Sequence, residues 1–168
     1  MNAPLPIGLL FRFMTSIPSQ ETDKPRRPVV SALLRRKGRI LILRRSDKVG
    51  SFQGYWSCVS GYVERGEDPL DTAIREIEEE VGIPPDRASL VRRCGPNLAE
   101  TEQVIFESHW FLFDCDQKEI RLDWEHEEFA WADPSRLEAY KLVPWFGDLL
   151  TQLMVEDWTE GPYSSDPA

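Results

Sequence analysis

Leu70, Ile74, Ile77 and Val81 recur at intervals of four, three and four residues. At about 100° per residue this puts all four on one face of an α-helix. Pro69 suits the first turn, where its missing N–H costs nothing, and Gly82 suits the stop. The spacing therefore predicts a helix from Pro69 to Gly82 with one face built to pack. Glu76, Glu79 and Glu80 fall in a stripe roughly 130° from the centre of the apolar one. Acids at i, i+3 and i+4 repel by several tenths of a kcal/mol per pair. They also sit in the C-terminal half of the helix, where the macrodipole disfavours negative charge. A solvated face is the ordinary fate of such a run. A hard divalent cation is the alternative that removes the conflict, because Mg²⁺ takes oxygen ligands and shares its sphere with substrate phosphates.

The rest of the chain supplies something for that helix to pack on. Val29–Leu34 and Arg39–Arg45, separated by "RRKG", predict a β-hairpin, and "SDKVGSFQG" predicts a loop. "YWSCVSGYV" predicts a third strand. Beyond the helix come a strand around "ASLVRRC", a turn at "GPN", a central strand in "VIFESHWFLFDC" and a short strand in "EFAWAD". Trp145, Leu149, Leu150, Leu153 and Met154 have helical spacing within "VPWFGDLLTQLMVEDW" and predict a closing helix. Strands on both sides of a mid-chain helix, with another helix at the end, define an α/β class with a mixed sheet between helices. The 168 residues divide into an N-terminal extension (1–27), one domain (28–157) and a C-terminal tail (158–168).

A formal net charge of −9, with no long Lys/Arg tract, argues against nucleic acid as a partner. Cys58, Cys94 and Cys115 are odd in number and show no CxxC spacing, so they predict neither a zinc site nor a disulfide framework. They read as buried or half-buried thiols in a reducing compartment. The stretch "MNAPLPIGLLFRFMTSIPSQ" lacks a basic start and is interrupted by Arg12, unlike a secretory signal, and one arginine falls short of an organelle-targeting pattern. No run approaches the ~18 apolar residues of a membrane span. The expectation is a soluble, cytoplasmic protein with no membrane partner.

Gly61, Glu67, Arg75, Glu76, Ile77, Glu79, Glu80, Gly82 and Ile83 stand at fixed intervals. Together they resemble the Nudix box, filled without a gap, and the resemblance extends over roughly Arg27 to Glu156. It implies a Nudix-type α/β/α sandwich. It also implies Mg²⁺-dependent hydrolysis, with Mn²⁺ as a substitute, of a small nucleotide-type molecule: a nucleoside diphosphate linked to another moiety. By that likeness Glu79 and Glu80 are principal metal ligands, and Glu76 is a further ligand or the group that orients or deprotonates water. Arg75 braces the site by pairing with Glu67. The backbone carbonyl just before the box, here that of Ser60 rather than a glycine, completes the metal sphere. A further acid is expected ahead of Trp131; Glu125 is the best match, with Glu127 and Glu128 as competitors. "RRSDKVGSFQGYWSCVSGYVE" is also similar to Nudix modules fused to domains resembling translation initiation factor subunits. Dimers are common among such relatives, which leaves room for a homodimer.

Outside the box, Arg44 and Arg45 end a strand just before the Gly-containing loop, where they grip phosphate or form an exposed pair. Phe52, Tyr55, Trp56 and Trp124 are candidates to stack on a base, Trp56 foremost, with core packing as the competing role. His109 reads as a packed strand residue and His126 as a candidate substrate contact. Either Glu76 or Glu125 serves as proton acceptor. The rival to hydrolysis is a Nudix-fold module that senses a nucleotide or binds a protein without turnover; the intact box favours the enzyme.

Overall fold

A computed structural model describes residues 23–154 of the chain. The apolar N-terminal stretch, the C-terminal tail and the last residues of the expected closing helix lie outside the described residues.

The hairpin forms as the sequence predicts. Strands β1 (Arg26–Arg36) and β2 (Arg39–Arg45) are joined by a two-residue turn at Lys37–Gly38, whose φ angles are 49° and 73°. Two positive φ values match the twist of the flanking strands. β1 is longer than the apolar run Val29–Leu34, because from Arg26 onward it pairs in parallel with β6 (Ile105–Cys115). That long-range ladder leaves no trace in the polar "RRP" that begins the strand. β1 and β2 pair only beside the turn. The single third strand expected in "YWSCVSGYV" is therefore two: β3 (Trp56–Ser57) pairs with the far end of β2, and β4 (Val59–Tyr62) pairs with β1. Cys58 is the residue at which the chain changes partner.

The strand order is β3-β2-β1-β6-β5, with β4 also on β1 and β7 (His126–Ala132) also on β2; β1 with β6 is parallel and the other pairs are antiparallel. β5 (Ala88–Glu100) runs through "GPN" instead of turning there. The Gly95–Pro96 step falls where the register shifts between Cys94 and Asn97, and β5 ends the strand order, a place where a residue without an N–H is tolerated.

Strand alternation feeds two cores. Leu34, Phe111 and Phe113 face α1 (Pro69–Val81), whose Ala73, Ile77 and Val81 complete that cluster. Leu33, Trp110 and Leu112 face α2 (Phe146–Met154), whose Phe146, Leu149 and Leu153 complete the other. A buried aliphatic or aromatic side chain of this kind stabilises by about 1.5–3 kcal/mol. The result is the mixed sheet between helices that the sequence predicts. α1 is fixed at both ends: the Asp68 Oδ1 accepts from the Leu70 N–H at 2.8 Å, and Gly82, at φ 70°, donates to the Glu78 carbonyl at 3.0 Å. The carboxylate-bearing part of the helix is thus a rigid platform.

Candidate active site

The last carbonyls of a helix have no intrahelical partner. In α1 two of them are taken up by the segment 121–126: the Arg121 N–H donates to the Val81 carbonyl at 3.0 Å and the Asp123 N–H to the Glu80 carbonyl at 3.1 Å. From the opposite side the Ser46 N–H donates to the Glu125 carbonyl at 2.8 Å, and the Ser46 hydroxyl to the Trp124 carbonyl at 2.9 Å. Glu125 is carried by backbone bonds to the acidic side of the helix.

The three helix carboxylates do not all face water. Glu79 has a 58% exposed side chain, Glu76 14% and Glu80 2%. At 100° per residue Glu80 lies about 90° from the centre of the apolar stripe, at its border, and the segment 121–126 closes over it. Both Glu80 carboxylate oxygens are buried without a hydrogen-bond partner among the described residues. Burial, then the charges of Glu125, Glu76 and Asp123, push its pKa well above the ordinary carboxylate value; the backbone of Ser60 acts in the opposite direction. Glu76 is also raised, by burial against the opposing pull of Arg75, and Glu125 is raised by burial and by Asp123. Even the Cys58 thiol registers the cluster, pushed up to about 12 by burial and by the charge of Glu80.

Arg75 is the counterweight. Its Nε and one terminal nitrogen donate to the two oxygens of Glu67 at 3.0 and 3.2 Å, and the other nitrogen reaches Glu76 at 2.9 Å and Glu79 at 3.2 Å. Glu67, held by that fork, is pushed down to about 2. Gly61, at the start of the box, lies so close to the Glu76 carboxylate that a Cβ at this position would strike it.

Glu127 and Glu128 are turned away from the cluster and pair with Arg44 at 3.3 and 3.2 Å. Glu125 is the member of the trio whose charge acts on Glu80 and Glu76. Arg44 is accordingly half of an exposed pair, whereas Arg45, whose Nε donates to the Ser51 carbonyl at 3.0 Å, lies near enough to Glu125 to lower its pKa. Trp56 departs from expectation. It is 9% exposed, belongs to the core under α2 and meets Tyr140 edge-on at 5.0 Å, so it packs instead of presenting a face to substrate. Phe52 and Tyr55 are half-buried, Phe52 meeting both Tyr55 and Trp145 edge-on, while Trp124 is 59% exposed. His109 is half-buried on β6, beside a cavity of about 410 Å³ lined by Asp68, Arg93 and Phe111; this cavity adjoins the first turn of α1, away from the Glu80 end.

His126 is enclosed, its side chain 1% exposed, and so cannot touch substrate. Its Nδ1 lies 3.2 Å from the Asp123 Oδ1 and 3.9 Å from the Glu80 Oε2. Asp123 is the site residue that sequence patterning misses: two residues before Glu125 and away from the box, it has no signature of its own.

Among the described residues no three His, Cys, Asp or Glu side chains are drawn into a finished cation cage. Arg75 engages Glu76 and Glu79, and Glu80 stands behind them. The donor set nevertheless suits Mg²⁺ or Mn²⁺. It is all oxygen, it is anionic, and it contains a buried carboxylate whose oxygens have no hydrogen-bond partner in good geometry among the described residues, the kind of group that a hard cation stabilises. Glu76, Glu79, Glu80, Glu125 and the Ser60 carbonyl are the groups that could hold it.

The chain matches the NUDIX domain over residues 24–153. It is 33% identical over 125 residues to the nucleoside triphosphatase NudI of Escherichia fergusonii, which covers 69% of this chain and 88% of that one. It is also 33% identical over 134 residues to the octanoyltransferase of Myxococcus xanthus, covering 75% of this chain but only 37% of the relative's length. Among solved structures it resembles the MutT protein of Methanosarcina mazei Go1, at 26% identity and a TM-score of 0.65, covering 82% of this chain and 99% of that one.

Proposed function

The chain belongs to the Nudix hydrolase family, a family of pyrophosphohydrolases, and from that membership we propose that it is a Mg²⁺-dependent hydrolase of nucleotide-type diphosphates, with Mn²⁺ as a substitute. The bond broken is the pyrophosphate linkage of a nucleoside diphosphate joined to another moiety. The observation that carries this reading is Glu80: buried, ringed by Glu76, Glu125 and Asp123, and without a partner for either oxygen among the described residues. A cluster built for stability alone would not be so arranged.

Glu79 and Glu80 would hold the cation, with Glu76 and the Ser60 carbonyl beside them; bound there, it would supply neutralisation of phosphate charge and acidification of water. Arg75, locked by Glu67, keeps the carboxylates in register. Glu125 accepts the proton of the attacking water on its carboxylate; unlike Glu76 it has no arginine bonded to it among the described residues, so its oxygens are free for the task. Arg45 meets the phosphates. Free cysteines at 58, 94 and 115 suit a reducing, cytoplasmic setting, and among the described residues no helix is long and apolar enough to cross a membrane.

The NudI relative makes nucleoside triphosphates the first substrates to assay, followed by ADP-ribose, dinucleoside polyphosphates and nucleotide sugars. Wild type should release product with Mg²⁺, and Glu79→Gln and Glu80→Gln should each lose more than the ~100-fold that outer-shell partners cost. Equal product release by wild type and both variants overturns the assignment. Nucleotide binding by wild type without product release would instead identify a sensing module.

A further inference from the structure

We propose that His126, fixed by Asp123, is a positioning residue that aims the Glu80 carboxylate and locks it to Glu125. The inference rests on the reading of Glu80 as a cation ligand and of Glu125 as the proton acceptor beside it, and extends that reading to two residues behind them.

The Asp123 Oδ1 accepts two bonds, from the Glu125 N–H at 3.1 Å and from the His126 Nδ1–H at 3.2 Å. The backbone N–H of the same residue donates to the Glu80 carbonyl at 3.1 Å. One aspartate therefore ties the main chain of both acids to the imidazole. With the Nδ1 proton directed at Asp123, the ring fits the tautomer in which Nε2 is bare, and that nitrogen is buried without a partner among the described residues. An apolar ring would fill the same space without burying an unmet acceptor. The polar edge of this ring is what the site uses. Nδ1 lies 3.9 Å from the Glu80 Oε2, too far for a hydrogen bond, so the ring edge rests beside that carboxylate while its N–H is committed to Asp123. Held in that orientation, the buried ring is a fixed neighbour of the 2% exposed Glu80 side chain, whose other charged neighbours are Glu76 and Glu125.

The test is a calorimetric titration of the full-length protein with Mn²⁺, alongside steady-state kinetics and thermal unfolding in EDTA. His126→Phe keeps the ring volume and loses the donor; His126→Asn loses volume but keeps a donor where Nδ1 stood. His126→Phe should bind Mn²⁺ about 10–100-fold more weakly and lose kcat with little change in KM, while His126→Asn recovers most of both. If the two variants rank by retained volume, with Phe the better, or if both bind as wild type does, the inference is overturned while the functional reading stands. Wild type that binds no Mn²⁺, even with nucleotide added, overturns the functional reading itself. Should His126→Phe fail to fold, Asp123→Ala, at a position with 19% side-chain exposure, takes its place. It should show the same loss of Mn²⁺ affinity, and unchanged affinity overturns the inference.

Discussion

The Asp123 N–H and the Glu80 carbonyl, 3.1 Å apart, join the end of α1 to the segment that carries Glu125. Helix carbonyls at this end carry partial negative charge and would add to the repulsion among the acids. Occupying them with N–H groups from Arg121 and Asp123 removes part of that cost and sets the spacing of Glu80 and Glu125 through the backbone. What remains uncompensated is the side-chain charge of Glu80.

Glu80→Gln should therefore stabilise the cation-free protein. A carboxyl whose folded pKa lies above its ordinary 4.5 binds more protons folded than unfolded. Its effect on stability thus turns unfavourable as pH rises above that value. Near pH 4 the two proteins should unfold at similar temperatures. By pH 7 the variant should be the more stable in EDTA. Added Mn²⁺ should reverse the order, since it stabilises only the protein that binds it. Unfolding curves at several pH values, with and without Mn²⁺, measure this.

Glu67 titrates in the opposite sense. Its pKa is pushed down to about 2 by the Arg75 fork, so its contribution is present above the ordinary 4.5 and is lost as pH falls from there toward 2. Glu67→Gln should remove the part of the acid-unfolding profile that falls in that window. At neutral pH it should also reduce kcat/KM about 10–100-fold, by freeing Arg75 from its fixed orientation.

The sequence disclosed the platform but not the depth at which its parts lie. The apolar spacing of Leu70, Ile74, Ile77 and Val81, with Pro69 and Gly82 at the ends, specifies α1 because helix periodicity and end signals are local. Glu67 meets Arg75 as the box resemblance implies. Burial is not local. Glu80 looks like its exposed neighbour Glu79 until the segment 121–126 folds over it, and Trp56 looks available until α2 arrives from the end of the chain. The split into β3 and β4 was hidden for the same reason: it follows from β2 leaving β1 for β7 and β3. Asp123 acquires its role only through partners in α1 and beside Glu125.

Gly61→Ala separates geometry from stability. The added methyl would meet the Glu76 side chain from Cγ to the carboxylate, so that arm must swing aside, and the unfolding free energy should fall by about 1 kcal/mol, the low end for an inserted methyl. The displaced carboxylate leaves its 2.9 Å contact with Arg75. A misplacement of this order can cost ~100-fold in rate, so kcat should fall far more than stability. Circular dichroism melts and kinetics on the same preparations make the comparison.

Arg44 and Arg45 are adjacent in sequence and should behave differently. Arg44 is tied to Glu127 and Glu128 in an exposed pairing, an arrangement worth about 0–1 kcal/mol, and Arg44→Ala should leave KM close to wild type. Arg45 lies beside Glu125 and near the proposed phosphates. Loss of a charge-assisted contact of about 1.5–3 kcal/mol should raise KM by at least ~10-fold in Arg45→Ala. The same guanidinium lowers the pKa of Glu125, so its removal should raise that pKa. If Glu125 must be ionised to accept the proton, the acid limb of kcat against pH should then move to higher pH in Arg45→Ala and stay in place in Arg44→Ala. A limb that stays put in both variants would transfer the proton-accepting role to Glu76, whose own bond to Arg75 neither substitution touches.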